Sequence, residues 1–170
     1  MQTCHVRPAA IADASVSTAV LRSSIAILCV ADHANDPATL ERWLRNKTEA
    51  SFVQWLADSC NFVLVAELDA VVRGVGLIHT SGNVRLCYVE PGFQRRGIGR
   101  ALLQSLENRA LQLGFAEVRL RSSVGAREFY ERHGYVSSGP PEQAFGVVTD
   151  YPYAKDVRGL PSSARGCGPT

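Results

Sequence analysis

The chain carries no surplus of one charge and no cysteine pairing pattern, and its first ten residues do not read as a secretion signal. Eighteen basic residues face sixteen acidic ones, a net charge of +2 over 170 residues. That balance argues against nucleic-acid binding as a general property. Five cysteines (Cys4, Cys29, Cys60, Cys87, Cys167) are scattered and odd in number, with no Cys-x-x-Cys pair. A disulfide scaffold and a zinc site are therefore not expected, and the thiols fit a reducing cytoplasm. Met1–Ala10 lacks an apolar signal core. The longest apolar stretch, around Ala19–Ala31, is broken by Arg22 and two serines and is not expected to span a bilayer. Two phosphate-binding patterns are missing as well. Ala101 and Leu102 occupy the later positions of a dinucleotide Gly-x-Gly-x-x-Gly, and there is no Gly-x-x-x-x-Gly-Lys-Ser/Thr loop.

What is present is one domain's worth of alternating patterns. Cys4–Arg7 reads as a short strand closed by Pro8. Asp13 is placed to cap a helix running through Val16, Val20, Leu21, Ile25 and Leu28. Residues 31–38 read as a polar loop, and Pro37 after Asp36 opens a helix with Leu40, Trp43 and Leu44. A further helix near Glu49–Ser59 carries Phe52, Trp55 and Leu56. Trp43 and Trp55 are expected in packing, and Arg42, Arg45 and Lys47 on a solvated face.

Asn61–Glu67 and Val71–His79 form a hairpin about Leu68-Asp69-Ala70, the second strand interrupted by Gly74 and Gly76. Ser81-Gly82-Asn83 turns the chain into Val84–Val89. A helix from about Arg96 to Leu113 buries Leu102, Leu106, Ala110 and Leu113, leaving Arg100, Gln104, Glu107 and Asn108 off that stripe, with Gly114 as its cap. Ala116–Arg121 is a strand, a short helix ends at Gly134, and Val136–Ser138 and Gly146–Ala154 suggest a last strand pair. The order predicts an α/β (α+β) chain: a mixed sheet of about six to seven strands with helices on its faces.

The most informative segment is Val89-Glu90-Pro91-Gly92-Phe93-Gln94-Arg95-Arg96-Gly97-Ile98-Gly99-Arg100. A helix start leaves about four N–H groups unpaired and carries roughly half a positive charge. Gly97 and Gly99 clear side chains from the backbone, and Arg95, Arg96 and Arg100 add full charges. The segment suits an anion, most naturally a pyrophosphate.

Here the sequence resembles the GNAT superfamily of N-acetyltransferases, whose coenzyme A motif has this Gln/Arg-x-x-Gly-x-Gly spacing after Val-x-Pro. Ala126-Arg127-Glu128-Phe129-Tyr130-Glu131-Arg132-His133-Gly134-Tyr135 is similar to the family's Ala-x-x-Phe-Tyr-x-x-x-Gly-Phe/Tyr signature. The opening Val6-Arg7-Pro8-Ala9 and the closing Tyr151-Pro152-Tyr153-Ala154-Lys155 agree more weakly. The likeness spans roughly 5–157, so one domain over 1–157 is expected. The Gly-, Pro- and Ser-rich 158–170 is expected to be a mobile tail.

The resemblance implies the GNAT acyl-CoA acyltransferase fold and acetyl-CoA as acyl donor, with no metal. Backbone N–H groups of Gln94, Arg95, Arg96, Gly97, Ile98, Gly99 and Arg100 would wrap the pyrophosphate. The fourth and fifth strands would splay after a bulge, so that Cys87, Tyr88 and Val89 pair with the pantetheine arm like an added strand. A Tyr88 or Val89 N–H would polarise the thioester. Ser122, Ser123 and Ala126 would line the other side, with Arg127 and Arg132 toward the adenosine phosphates. Tyr130 is the catalytic candidate, a protonated phenol beside the leaving sulfur; the alternative is a core tyrosine packed on Phe129.

No acid stands near Asn83, where some members keep a base. Glu90, Asp32, His33, His79 or a water chain stay open. The implied acceptor is a small-molecule or peptide amine, attacked directly in a ternary complex without an acyl-cysteine. A homodimer is possible by the same likeness; no nucleic acid or membrane partner is expected. The competing reading is a non-catalytic acyl-CoA-binding module with a sensing or assembly role.

Overall fold

The structure, a computed structural model, describes residues 4–144 and 148–159. The expected tail lies almost wholly outside them, as do Cys167 and the proposed strand start at Gly146.

The N-terminal strand β1 (Cys4–Pro8) is tied down by charge. The Arg7 guanidinium bonds both carboxylate oxygens of Asp13 at 2.7 and 2.9 Å and reaches Glu67 Oε1 at 2.6 Å. Asp13 does not cap the first helix with its side chain. Its carboxylate instead accepts the Ala10 N–H at 2.8 Å, closing a 3₁₀ turn over Ile11–Asp13. Burdened with Arg7 bonds, that carboxyl sits below the usual range.

Helix α1 (Ala14–Leu28) follows. Residues 11–28 have a mean hydropathy of 1.4, enough by length and composition to cross a bilayer. Leu21 and Ile25 of this helix are nonetheless wholly buried in the protein. The expected polar loop contains a helical turn, α2 (Val30–His33), stopped by Ala34 and Asn35 in the left-handed region. Helix α3 (Pro37–Leu44) is capped by Asp36, whose carboxylate accepts the Thr39 N–H at 2.8 Å. Helix α4 (Glu49–Ala57) is capped by Thr48.

Strands β2 (Asn61–Leu68) and β3 (Val71–His79) form the expected hairpin. Asp69 and Ala70 both take positive φ (54° and 62°), as a two-residue primed turn requires. Strand β4 (Asn83–Val89) pairs antiparallel with β3. Leu77 faces Leu86 but Ile78 faces Val84, so Arg85 is the extra residue of a bulge. Helix α5 (Ile98–Gln112) returns the chain to β5 (Glu117–Ser122), and α6 (Arg127–Arg132) precedes β6 (Val136–Ser137), β7 (Glu142–Ala144) and β8 (Val148–Asp156). The eight strands run β1-β2-β3-β4-β5-β8-β6, with β7 beside β8.

Two cores flank the sheet. On one face Phe52, Leu21 and Val20 pack on Val63, Val75 and Leu77; on the other Leu102, Leu106 and Tyr130 pack on Leu64, Ile78 and Leu120. Gly74 and Gly76 do not interrupt β3. They let α5 approach: a Cβ at Gly74 would stand 2.8 Å from both Ile98 and Leu102.

Glu107 departs from expectation. It is 2% exposed, and its Oε1 accepts from Lys155 Nζ at 2.9 Å, joining α5 to β8. Burial of that pair is tolerable only while both partners remain. Lys155→Met should lower unfolding free energy by about 3–5 kcal/mol in urea titration, whereas Glu107→Leu with Lys155→Met should recover most of it.

Candidate active site

Strands β4 and β5 are parallel neighbours only at Asn83–Arg119 and Val84–Leu120. Beyond the Arg85 bulge they diverge, and a cleft of about 1290 Å³ opens between them. It passes through the sheet. Cys87 and Val89 face the α5–α6 core, whereas Tyr88 faces the core built by α1, α3 and α4. Along β4, alternate residues turn N–H and C=O toward β3 or toward the gap.

At the α5 end, Gly97 caps the helix with φ +83° and no side-chain bond. The first intrahelical bond is donated by Ala101 to Gly97 O at 2.9 Å, so the amides of Ile98, Gly99 and Arg100 begin the helix as unpaired donors. Nothing stands within 4 Å of where a Gly97 Cβ would be, whereas a Gly99 Cβ would meet the Phe129 ring at 3.3 Å. Gln94, Arg95, Gly97, Gly99 and Arg100 line this end, joined by Arg132 of α6.

Arg96 is turned aside, its guanidinium 5.0 Å from the Phe93 ring. The Ile98 side chain is core, leaving only its amide at the helix start. Arg127 lies along β8 instead, its Nε 3.2 Å from the Tyr153 hydroxyl and its guanidinium over Tyr151. Across the gap, Ser123 and Ala126 line the wall, while Ser122 is 1% exposed and donates to Ser123 O at 2.8 Å.

Tyr130 lies in the cleft wall, 6% exposed, its ring 5.1 Å from Phe129. Its hydroxyl and the Cys87 thiol are close electrostatic neighbours in that wall. Burial pushes the Cys87 thiol up to about 12 and Tyr130 far above an ordinary phenol. Both groups therefore stay protonated at neutral pH. Tyr130 is a donor, and Cys87 is no nucleophile.

The opposite mouth is apolar with charged edges. Trp43, Leu86 and Cys29 line it, and the Trp43 indole donates to the buried Tyr88 hydroxyl. Asp150 of β8 lines it too. Burial raises that carboxyl; Arg121 partly offsets this, and Asp32 and Glu142 push it up further.

Of the four proposed base side chains, none lines the cleft. Glu90 is held by Arg73 at 2.5 Å. His79 is bonded to Ser81 at 2.8 Å. His33 is 1% exposed, its Nε2 on Ile25 O and its Nδ1 accepting the Asn35 N–H. Asp32 accepts the Val124 N–H at 2.8 Å with one oxygen and buries the other unpartnered.

Sequence reading passed over Asp150, although an acid inside the β-forming run 148–153 is a usable signal. It also placed Lys47 on a solvated face, whereas Lys47 is 5% exposed and lines the acceptor-side mouth. No group of three His, Cys, Asp or Glu residues suited to a metal occurs among the described residues.

Residues 29–157 match the family model for the acetyltransferase (GNAT) domain, and the chain belongs to that family of acyltransferases. No curated protein matches the sequence. Among solved structures, a GCN5-related N-acetyltransferase from Rhodopseudomonas palustris is similar at 26% identity, over 92% of this chain and 97% of that one, with a TM-score of 0.81. PaiA N-acetyltransferase from Thermoplasma acidophilum, solved with coenzyme A, shares the fold at 20% identity, 91% and 99% coverage and a TM-score of 0.70. YncA from Salmonella typhimurium, solved with acetyl-CoA, does so at 21% identity, 99% and 98% coverage and a TM-score of 0.64.

Proposed function

We propose that this chain is an acetyl-CoA-dependent N-acetyltransferase that moves an acetyl group to a primary amine by direct attack within a ternary complex. The observation that carries it is the split sheet with the unpaired amides of α5 at one end. Structural relatives solved with coenzyme A or acetyl-CoA support the same donor.

The amides of 94–100, with Arg95, Arg100 and Arg132, form the seat for the pyrophosphate. Gln94 Oε1 already accepts the Gly92 N–H at 3.0 Å, which fixes the turn feeding that seat. Backbone groups of Cys87, Tyr88 and Val89 that face the gap hold the pantetheine amides and polarise the thioester carbonyl. Bound there, acetyl-CoA supplies the activated acyl carbon. Tyr130 offers its proton as a hydrogen bond to the developing thiolate and keeps it, because burial makes the phenol a very weak acid. Asp150 accepts the proton that the attacking ammonium must lose. The free thiols Cys4, Cys29, Cys60 and Cys87 fit a reducing cytoplasm.

Three variants check these roles. Gly97→Glu adds bulk and negative charge in open space and should abolish coenzyme A binding in calorimetry. Gly97→Ala shares the strained φ of +83° and serves as its control; equal affinity of Gly97→Glu and wild type removes the cradle. Tyr130→Phe should cut kcat about tenfold or more while acetyl-CoA affinity changes by no more than about twofold, read by thiol release. Asp150→Asn should lower kcat/KM about 100-fold. Since Asp150 must be ionised to act and burial raises its pKa, wild-type activity should fall on acidification above the ordinary carboxylate range; the Asn variant should lack that limb. A broad panel of amines of which none produces thiol release would favour the binding-module reading.

A further inference from the structure

Lys47 is a charged residue of the cleft that the proposed acetyl transfer does not use. It lies between α3 and α4, 5% exposed, and lines the acceptor-side mouth with Trp43, Leu86 and Tyr88. Its Nζ has three protons to donate. One goes to Asn46 Oδ1, and the ammonium sits 5.9 Å from the Trp55 ring centroid. Among the described residues it makes no salt bridge. Among the described residues, Glu107 and Asp13, which are as deeply buried, are matched, Glu107 by Lys155 and Asp13 by Arg7. Burial alone brings the Lys47 amine down to about 8, with no carboxylate to hold it up. A buried ammonium with empty donors is unfavourable unless an anion arrives from outside.

The remainder of the mouth limits what that anion belongs to. Asp150 stands in the same cleft, so a purely anionic guest would meet a carboxylate. Between the two charges the surface is apolar and aromatic. We infer that the acceptor is an amine bearing its own carboxylate and an apolar body, an apolar amino acid or a close analogue, with Lys47 pairing to that carboxylate while the amine faces Asp150 and the β4 edge. This rests on the acetyltransferase reading for the amine and on Lys47 alone for the carboxylate.

Two measurements separate those supports. The first compares kcat/KM with acetyl-CoA on matched acceptors: L-phenylalanine against 2-phenylethylamine, and L-leucine against isoamylamine. The acid-bearing member should lead by about tenfold or more, and Lys47→Met should erase that ratio. The second needs no turnover. Of the chain's two tryptophans, Trp43 lines the cleft and Trp55 lies against the Lys47 ammonium, so intrinsic fluorescence reads occupancy. 3-Phenylpropionate should bind about tenfold more tightly than 3-phenylpropanol, and Lys47→Met should lose the difference.

Lys47→Met should keep or raise Tm, because it removes an unmatched buried charge; a lowered Tm with unchanged acceptor and ligand ratios makes Lys47 structural and overturns the inference. Amine turnover without an acid preference overturns it while leaving the transferase reading intact. Failure of the Gly97 and Tyr130 tests, with 3-phenylpropionate still selected, sinks the transferase reading and spares the carboxylate site.

Discussion

How closely α5 can lie on the sheet governs most of this structure. Gly74 and Gly76 put no Cβ between β3 and α5 at their positions, and Ile98, Leu102 and Leu106 fill that space. Because the contact begins at Ile98, the first residue of the helix, its N-terminus is held at the edge of β4. There the Arg85 bulge turns the strand away from β5. The unpaired amides of the helix therefore open into a gap that the same packing creates. The proposed anion seat and the proposed slot for an extended chain both rest on this one close approach.

The passage separates duties by face. Tyr130 and Cys87 lie on the α5–α6 side, with burial holding both protonated. Tyr88, Trp43, Lys47 and Asp150 collect at the other mouth. Neighbouring residues on β4 point opposite ways, so three consecutive positions serve both compartments.

The glycine-rich start of α5 was legible because its pattern is local. Strand, turn, two glycines and arginines occupy consecutive positions, and their roles depend on backbone geometry that the sequence writes directly. The hairpin at Asp69-Ala70 and the helix opening at Asp36-Pro37 were readable for the same reason. The acceptor end was not. Lys47 looks like any basic residue near Arg42 and Arg45, and only the packing of α3 against α4 removes it from water. Glu107 was assigned to solvent by helical spacing, which cannot anticipate a lysine 48 positions later. Asp13 sits at a capping position but spends its oxygens on Arg7 and Ala10. His33 suits proton transfer by type, yet both its nitrogens are engaged with backbone.

The Glu107–Lys155 clasp has a mechanical meaning. Past Val84 and Leu120 the two half-sheets share no ladder, and β8 belongs to the second half while α5 rests chiefly on the first. The ion pair thus fastens α5 to the second half-sheet beside the closed end of the split, where Lys155 stands opposite Val118. Past that end no interstrand bond joins β4 to β5, so a molecule occupying the gap would have none to break.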